Sequence, residues 1–504
     1  MLKKEINIKE LPYIRKEFKN KKIGLAHGVF DLFHHGHLLH LKKAKEQCDI
    51  LIVSITSDKF VNKAPDRPYY SAQKRIQILA AIDFIDYVTI ADFRSSVEVI
   101  SGLKPDIYFK GSEYRDAKKD FTGKIDKELK VLKKFGGKVV FTNEKVLSSS
   151  NIINNFFSNL SEELKDFLRK NKKNFTFLKI FKIYEKIKKQ KILVIGDAII
   201  DEYVFCSGLA KSPKEQIISM EERKIEKYNG GILATANHVS NFVNNVTLVT
   251  LMGFSKLYNK DYINRLNKNI NKKIFFSKSF PTIIKTRYLD NDDSKIFQKT
   301  NLSYCNLDHK LEKKILLYLT KNLVKFDQVI VNDFGHGLLT EKIIKLIQKK
   351  SSYLCVNVQT NSSNNGFNFV TRYKKAFYIS IDEPEARLAT QIRYSPIGDL
   401  FKALRNKINY KLCSITFGKN GTNISNKKNF IFIPVISKNP VDTLGAGDAY
   451  FAISSIFSKY LIKHHSLIGL LGNIAASLKI QYLGHRTYIN KDKFFAYLKT
   501  LFNI

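Results

Sequence analysis

Residues 27–41 read HGVFDLFHHGHLLHL and hold five of the chain's eleven histidines. The apolar run IGLAHGVFD predicts a strand that ends in Gly28–Asp31, and HLLHLKKAKEQ predicts a helix, so the histidines fall on a strand-to-helix turn. Such a turn lies at the C-terminal end of a parallel strand, where doubly wound sheets bind ligands, and the free N–H groups of the helix start favour phosphate. Gly36 lets the backbone approach closely. His34 and His37, three apart on one face, can both donate hydrogen bonds to phosphate oxygens. Zinc chelation is the competing chemistry, but no Cys or Glu follows at a matching interval. His27, His35 and His40 read as ordinary core or surface histidines.

A second constellation stands at VDTLGAGDAYFAISSIF. Gly445, Ala446 and Gly447 at a predicted helix start expose N–H groups suited to a transferring phosphoryl group. Asp448 beside them can take the proton from an attacking hydroxyl.

The elements that must position these residues follow from the rest of the chain. Its 504 residues suggest two to four domains, each able to bury a sizeable core, and 44% hydrophobic residues with no long polar tract read as globular throughout. Short apolar runs alternate with amphipathic stretches from KKIGLAHGVF through CDILIVSITSD, RIQILAAIDFIDYVTIAD, KPDIYFKG and GGKVVFTNE, which predicts a parallel sheet with helices on both faces over residues 1–155. The charged stretch NLSEELKDFLRKNKKNFTFLKIFKIYEKIKKQ has apolar positions at helical spacing and predicts a helical linker over 156–190. A second α/β series opens at KILVIGDAIIDEYVF and fills 191–504, with strands at NVTLVTLMG, FDQVIVNDFG, YLCVNVQ, KAFYISID, LCSITFG and NFIFIP.

Eighty-five Lys and Arg against 46 acidic residues give a formal charge of +39, which admits a nucleic-acid or membrane-surface partner. The lysines are spread along the whole chain, however, and Asn and Ile are abundant too, so the charge reads as solvated helix faces able to attract anionic substrates. Neither nucleic acid nor membrane is expected. The five cysteines are far apart with no CxxC, so neither a disulfide framework nor a zinc knuckle is indicated and a cytoplasmic location is expected. No run is long and apolar enough for a membrane span.

These residues carry resemblances. GVFDLFHHGH is similar to the GxFDxxHxGH signature of the cytidylyltransferase-like nucleotidyltransferases, and RPYYSAQKRIQIL, YFKGSEY and LSSSNII follow in that family's order. The resemblance implies a Rossmann-like domain in which a phosphate oxygen attacks the α-phosphorus of a nucleoside triphosphate and pyrophosphate leaves. It implies His34 and His37 as catalytic, with Gly28, Phe30, Asp31, Gly36, Lys45, Arg75, Lys110, Gly111, Ser148, Ser149 and Ser150 around nucleotide and phosphates. The DTLGAGD string resembles the signature of the ribokinase-like (PfkB) carbohydrate kinases, an α/β/α fold with a small β lid. It implies Asp448 as base, with Thr443, Gly445, Ala446, Gly447, Thr416, Gly418, Gly421 and Asn473 at the nucleotide. Asp201, Gly230, Gly231 and Asn237 would meet the sugar, and Mg²⁺ would be met indirectly through Glu385. The chain departs from that pattern in having DxxE, Asp382 to Glu385, for NxxE, and His336 where a basic residue is usual.

Together the two halves resemble the bifunctional heptose 7-phosphate kinase/heptose 1-phosphate adenylyltransferase family of lipopolysaccharide core synthesis. KSPKE with Lys211 and PTIIKTRYL with Lys285 and Arg287 are similar to its substrate-phosphate segments. That family usually places the kinase first, whereas here the transferase is N-terminal. The resemblance implies ATP and Mg²⁺, a sugar phosphate as acceptor and a homodimer paired through the lid. A kinase/cytidylyltransferase fusion using CTP on another sugar or polyol phosphate is the alternative, since the histidine segment is also close to the glycerol-phosphate cytidylyltransferase pattern.

Overall fold

A computed structural model describes residues 4–61, 68–93, 95–111, 124–142, 160–172, 175–254, 258–302, 307–362, 364, 366–437 and 440–502. The chain divides into two compact units, 1–159 with 495–504, and 160–494.

In the first unit, β1 (Ile23–Gly28), β2 (Ile50–Thr56), β3 (Tyr87–Ala91), β4 (Ile107–Gly111) and β5 (Lys138–Thr142) form one parallel sheet in the order β3-β2-β1-β4-β5. Helices α1 (Leu11–Glu17), α2 (His35–Lys45), α3 (Ala72–Ala80), α4 (Val97–Leu103) and α5 (Lys124–Lys134) intervene. Strands such as β2, ILIVSIT, are buried along nearly their whole length because helices cover both faces of a parallel sheet. One core gathers Leu41, Val53, Ile76 and Phe109, and the other Leu11, Ile52, Ile100 and Tyr108. The chain runs outward from β1 to β3 and then returns to β4. The strand order therefore reverses between β1 and β4, which opens a crevice at their C-terminal ends.

In the second unit, α6 (Glu162–Lys172) and α7 (Phe177–Ile187) come first. The expected helical linker is thus two helices that belong to this unit, and α7 buries Ile180, Tyr184 and Ile187, with Tyr184 edge-on to Phe242. A nine-stranded sheet follows in the order β10-β9-β6-β13-β14-β15-β16-β17-β18. Its strands are β6 (Lys191–Gly196), β9 (Asn245–Gly253), β10 (Ile270–Ser277), β13 (Gln328–Asp333), β14 (Leu354–Val358), β15 (Tyr378–Asp382), β16 (Leu412–Thr416), β17 (Thr422–Ser425) and β18 (Phe430–Ile433). It is parallel from β10 to β16, and β17 and β18 are antiparallel. A separate sheet, β12-β11-β7-β8, joins β7 (Ala198–Lys211), β8 (Ile218–Gly230), β11 (Ile283–Leu289) and β12 (Lys295–Thr300). This is the expected lid. The helices that matter for the site are α8 (Gly231–Ser240), α9 (Tyr258–Asn264), α10 (His309–Asn322), α11 (Glu341–Lys350), α12 (Glu383–Thr390), α13 (Ile397–Lys407), α14 (Ala446–Ser458) and α15 (His465–Lys479). Here the order reverses between β6 and β13, and the lid strand β7 leaves the sheet beside that point.

Candidate active sites

The first site lies where β1 gives way to α2. His34 is the extended N-cap of α2, and its Nδ1 accepts from the Gly36 N–H at 3.1 Å, which requires its proton on Nε2. The His37 ring stacks on it with centroids 3.9 Å apart and is edged by Phe30 and Phe33. The two imidazoles named from the sequence therefore form one unit at a helix start. The turn that carries them is strained: Phe30 and Leu32 have φ of 50° and 43°, a region that L side chains avoid, and strain of this kind persists where surrounding contacts over-determine it. Those contacts are visible. Asp31 is buried and accepts from the Tyr69 and Tyr70 N–H groups at 2.8 and 3.0 Å. Gly28 leaves room for the Phe30 ring, which a Cβ would approach to 3.1 Å.

Several residues expected at the triphosphate do other work. The buried Arg75 guanidinium donates to Tyr70 O, Val29 O, Thr56 O and Asp58 Oδ1, so it ties the loops around the turn together. Lys45 sits in the last turn of α2, at the end away from the histidines, and bonds Asp86 and Asp49 O. Asp31, as above, holds the 69–70 segment. Lys110 forms an ion pair at 3.2 Å with Glu128, both side chains largely buried, while Gly111 ends β4 at the mouth of the crevice. Ser148, Ser149 and Ser150 lie outside the described residues. His27 bonds Ser54 and His40 bonds Thr142, in keeping with a structural reading of both.

The second site lies at the reversal between β6 and β13. Asp448 stands in the first turn of α14, buried, its Oδ1 accepting from Asn332 Nδ2 at 3.0 Å and Gln359 Nε2 at 3.2 Å. Burial pushes its carboxyl up to about 6, against the pull of the Asn332 hydrogen bond. Gly445 is the N-cap of α14 with φ 75°, and a Cβ at Gly447 would meet nothing within 4 Å, so the start of the helix faces open space. Asp201 on β7 pairs with Arg287 at 2.5 Å and lies 3.4 Å from His485 Nε2. Burial raises its carboxyl, but Arg287 and His485 more than offset this and leave it below the usual value. Gly230 is required here, because a Cβ would fall 2.0 Å from Asp201 Oδ2, and Gly231 follows with φ 51°. Lys285 is paired in register with Asp201, and burial lowers its ammonium, with Asp201 and Asp448 opposing. Burial, then Lys285, pulls His336 down to about 4, so it stands as a neutral imidazole where a cation is usual in the resembled pattern.

Toward the far side of the sheet, Thr416 ends β16, and Gly418 and Gly421 turn the chain with φ of 54° and 95°. Glu385 is buried at the start of α12, its carboxylate accepting from Thr360 N and Asp382 N, and burial followed by Asp382 pushes it upward. Three expected ligand residues are placed differently. The Asn237 amide is spent on Arg265 O and Asn267 N, and Asn473 bonds Thr422, Ile433 O and Pro434 O. Lys211 is exposed at the end of β7, on the order of 30 Å from Asp201 at strand rise, so the strand does not bring it beside Asp201. Asn332, Gln359 and His485 were not singled out by their sequence neighbourhoods, and Lys479 was marked only by being a lysine in an apolar helix, LIGLLGNIAASLKI.

The geometry defines a class: two α/β units, each with its own phosphate-suited helix start at a strand-order reversal. Residues 189–492 match the pfkB family carbohydrate kinases and residues 25–155 match the family described as Cytidylyltransferase-like. The chain belongs to the pfkB carbohydrate kinase family, with a cytidylyltransferase-like domain preceding it. Among curated relatives, the bifunctional protein HldE of Campylobacter jejuni subsp. jejuni is 44% identical over 115 residues, 22% of this chain and 25% of that protein. The HldE of Aliarcobacter butzleri is 25% identical over 324 residues, 62% of this chain and 65% of that protein. The aligned part thus spans about a quarter of the length of the Campylobacter relative. A nucleoside kinase of Methanocaldococcus jannaschii (20% identity, TM-score 0.46, 63% of this chain and 99% of that one) and a ribokinase of Giardia lamblia (16%, 0.49, 60% and 99%) are among the similar solved structures. Among the described residues no helix is long and apolar enough to cross a membrane.

Proposed function

We propose that the chain activates a sugar phosphate in two reactions, phosphorylating its anomeric hydroxyl from ATP in the second unit and transferring a nucleotidyl group to the resulting 1-phosphate in the first. The observation that carries the kinase half is the buried Asp448 beside the Gly445–Gly447 helix start, with Lys285 and Arg287 on the adjoining lid strand. Asp448 takes the hydroxyl proton, the oxygen forms its bond to the γ-phosphorus, and the bond to the ADP oxygen breaks. The α14 N–H groups hold the transferring phosphoryl group. In the first unit the 1-phosphate oxygen attacks the α-phosphorus of a nucleoside triphosphate and pyrophosphate leaves. The stacked His34 and His37 steady the charge that builds there.

Among the described residues no group of three or more His, Cys, Asp or Glu is placed to hold a metal ion. In the proposed reaction Mg²⁺ arrives on the triphosphate and keeps most of its waters. Glu385, a buried carboxyl pushed upward, is the residue to meet one such water. Bound there, the ion would neutralise phosphate charge.

The substrate proposed is D-glycero-β-D-manno-heptose 7-phosphate, with ATP as adenylyl donor to the heptose 1-phosphate. It rests on the HldE relatives and on the basic lid residues, which suit a sugar already carrying phosphate. Phosphorus NMR with Mg-ATP and the 7-phosphate should show a second, anomeric phosphate. ATP left untouched would remove heptose as the acceptor. Supplying heptose 1-phosphate with ATP or CTP then fixes the base, and turnover with CTP alone would favour a cytidylyltransferase.

A further inference from the structure

Lys479 is the last residue of α15, and it is 1% exposed. A lysine is rarely buried so completely without partners, and here the partners are specific. Its Nζ donates to Leu444 O at 3.2 Å and to Gly484 O. Asp442 grips the same two residues by their other ends: it accepts from Leu444 N at 3.1 Å and from Gly484 N at 2.8 Å. Leu444 and Gly484 are therefore each held at N–H by a carboxylate and at C=O by an ammonium. Lys295, from the lid strand β12, completes the group with a 2.6 Å ion pair to Asp442.

The clamp bears on the kinase site through one peptide bond. The Leu444 carbonyl and the Gly445 N–H share a plane and point oppositely. Drawing the carbonyl to Lys479 turns that N–H to the other side and fixes Gly445 in its φ 75° conformation as the cap of α14. The 484–485 segment presses on the same residue, since a Cβ at Gly445 would meet the His485 ring at 2.5 Å. Two carbonyl oxygens and a nearby carboxylate are what a desolvated monovalent cation would gather. Here the chain supplies the cation itself.

We propose that Lys479 is a positioning residue that serves as a tethered monovalent cation, holding the 442–445 turn in its phosphoryl-accepting form without any added ion. Burial pulls the Lys479 ammonium down to about 8, Asp442, Asp201 and Asp448 oppose the fall, and Lys295 adds to it. The functional consequence rests on the kinase reading above; the cation site itself does not.

The test compares wild type, Lys479→Ala and Lys479→Met in choline, potassium and ammonium chlorides at equal ionic strength, reading thermal midpoint and kinase turnover. Wild type should respond to neither cation. Lys479→Ala should lose about 10²-fold in kcat in choline, with a smaller change in KM for ATP, and regain at least about tenfold in potassium or ammonium. Its midpoint should rise with the same cations. Lys479→Met, which fills the space without charge, should lose turnover and not be rescued. Full turnover in Lys479→Ala, or a loss that no cation recovers in rate or midpoint, would overturn the proposal. If wild type phosphorylates no sugar tested while the Lys479→Ala midpoint still climbs with potassium, the kinase reading fails and the tethered cation stands.

Discussion

In the proposed kinase reaction Asp448 is the base, and its surroundings bear on that role. Burial raises it to about 6, while the amides of Asn332 and Gln359 at Oδ1 hold it in place and favour its charged form. A base must be ionised to accept a proton, so kinase turnover should be low below pH 6, rise through about 6 and level off above it. Asp448→Asn should cut kcat by about 10²–10⁴-fold at every pH and leave nucleotidyl transfer unchanged. Asn332→Leu removes a hydrogen bond that lowers the carboxyl's affinity for a proton, so the rising limb should move to higher pH in the rate profile. Asp448 was legible because its whole chemistry sits in seven consecutive residues. Asn332 and Gln359 were not, because strand order, not sequence spacing, brings the ends of β13 and β14 to α14. Arg75 and Asn473 were legible as important, but the backbone and side-chain groups they bond within the protein were not, because those partners are distant in sequence.

At the scale of elements, the parallel strands were readable as continuous apolar runs because both sheet faces are covered, whereas the lid strands β8 and β12 are largely exposed and carry no such signal. The β1–α2 turn depends on elements far from it. Its φ strain at Phe30 and Leu32 is held by Arg75, which reaches from α3 to three backbone carbonyls and Asp58. Arg75→Met would leave those carbonyls buried without donors, at a cost of about 3 kcal/mol. The expected outcome is a lower denaturant midpoint for the first unit and lost nucleotidyl transfer despite intact histidines. The lid makes a different prediction. It leaves Ile218 at the start of β8 more than half exposed, and in the proposed homodimer a second copy of the lid would cover it. Ile218→Asp should convert a dimer to a monomer in light scattering.

At the scale of the whole molecule, a net charge of +39 is spread over both units and gives no site its specificity. Its consequence is kinetic: anionic substrates are attracted at long range, and on-rates should fall as salt is raised. What organises the chain is that the residues proposed for each reaction fall in separate units, His34 and His37 in one and Asp448, Asp201 and Arg287 in the other. In the heptose reading the two steps are separated by loss of the 7-phosphate, so the intermediate must leave the kinase site before it can be adenylylated. Physical linkage of the units then confers no advantage on transfer between them. Asp448→Asn and His37→Ala should each lose one reaction and keep the other at the wild-type rate. An equimolar mixture of the two variants, supplied with ATP, the 7-phosphate and a sugar bisphosphate phosphatase, should form nucleotide sugar as fast as wild type at the same concentration of intact sites. A mixture markedly slower than wild type would mean that the product of one site reaches the other without mixing with solvent, and that the order of the two units on the chain matters to the chemistry.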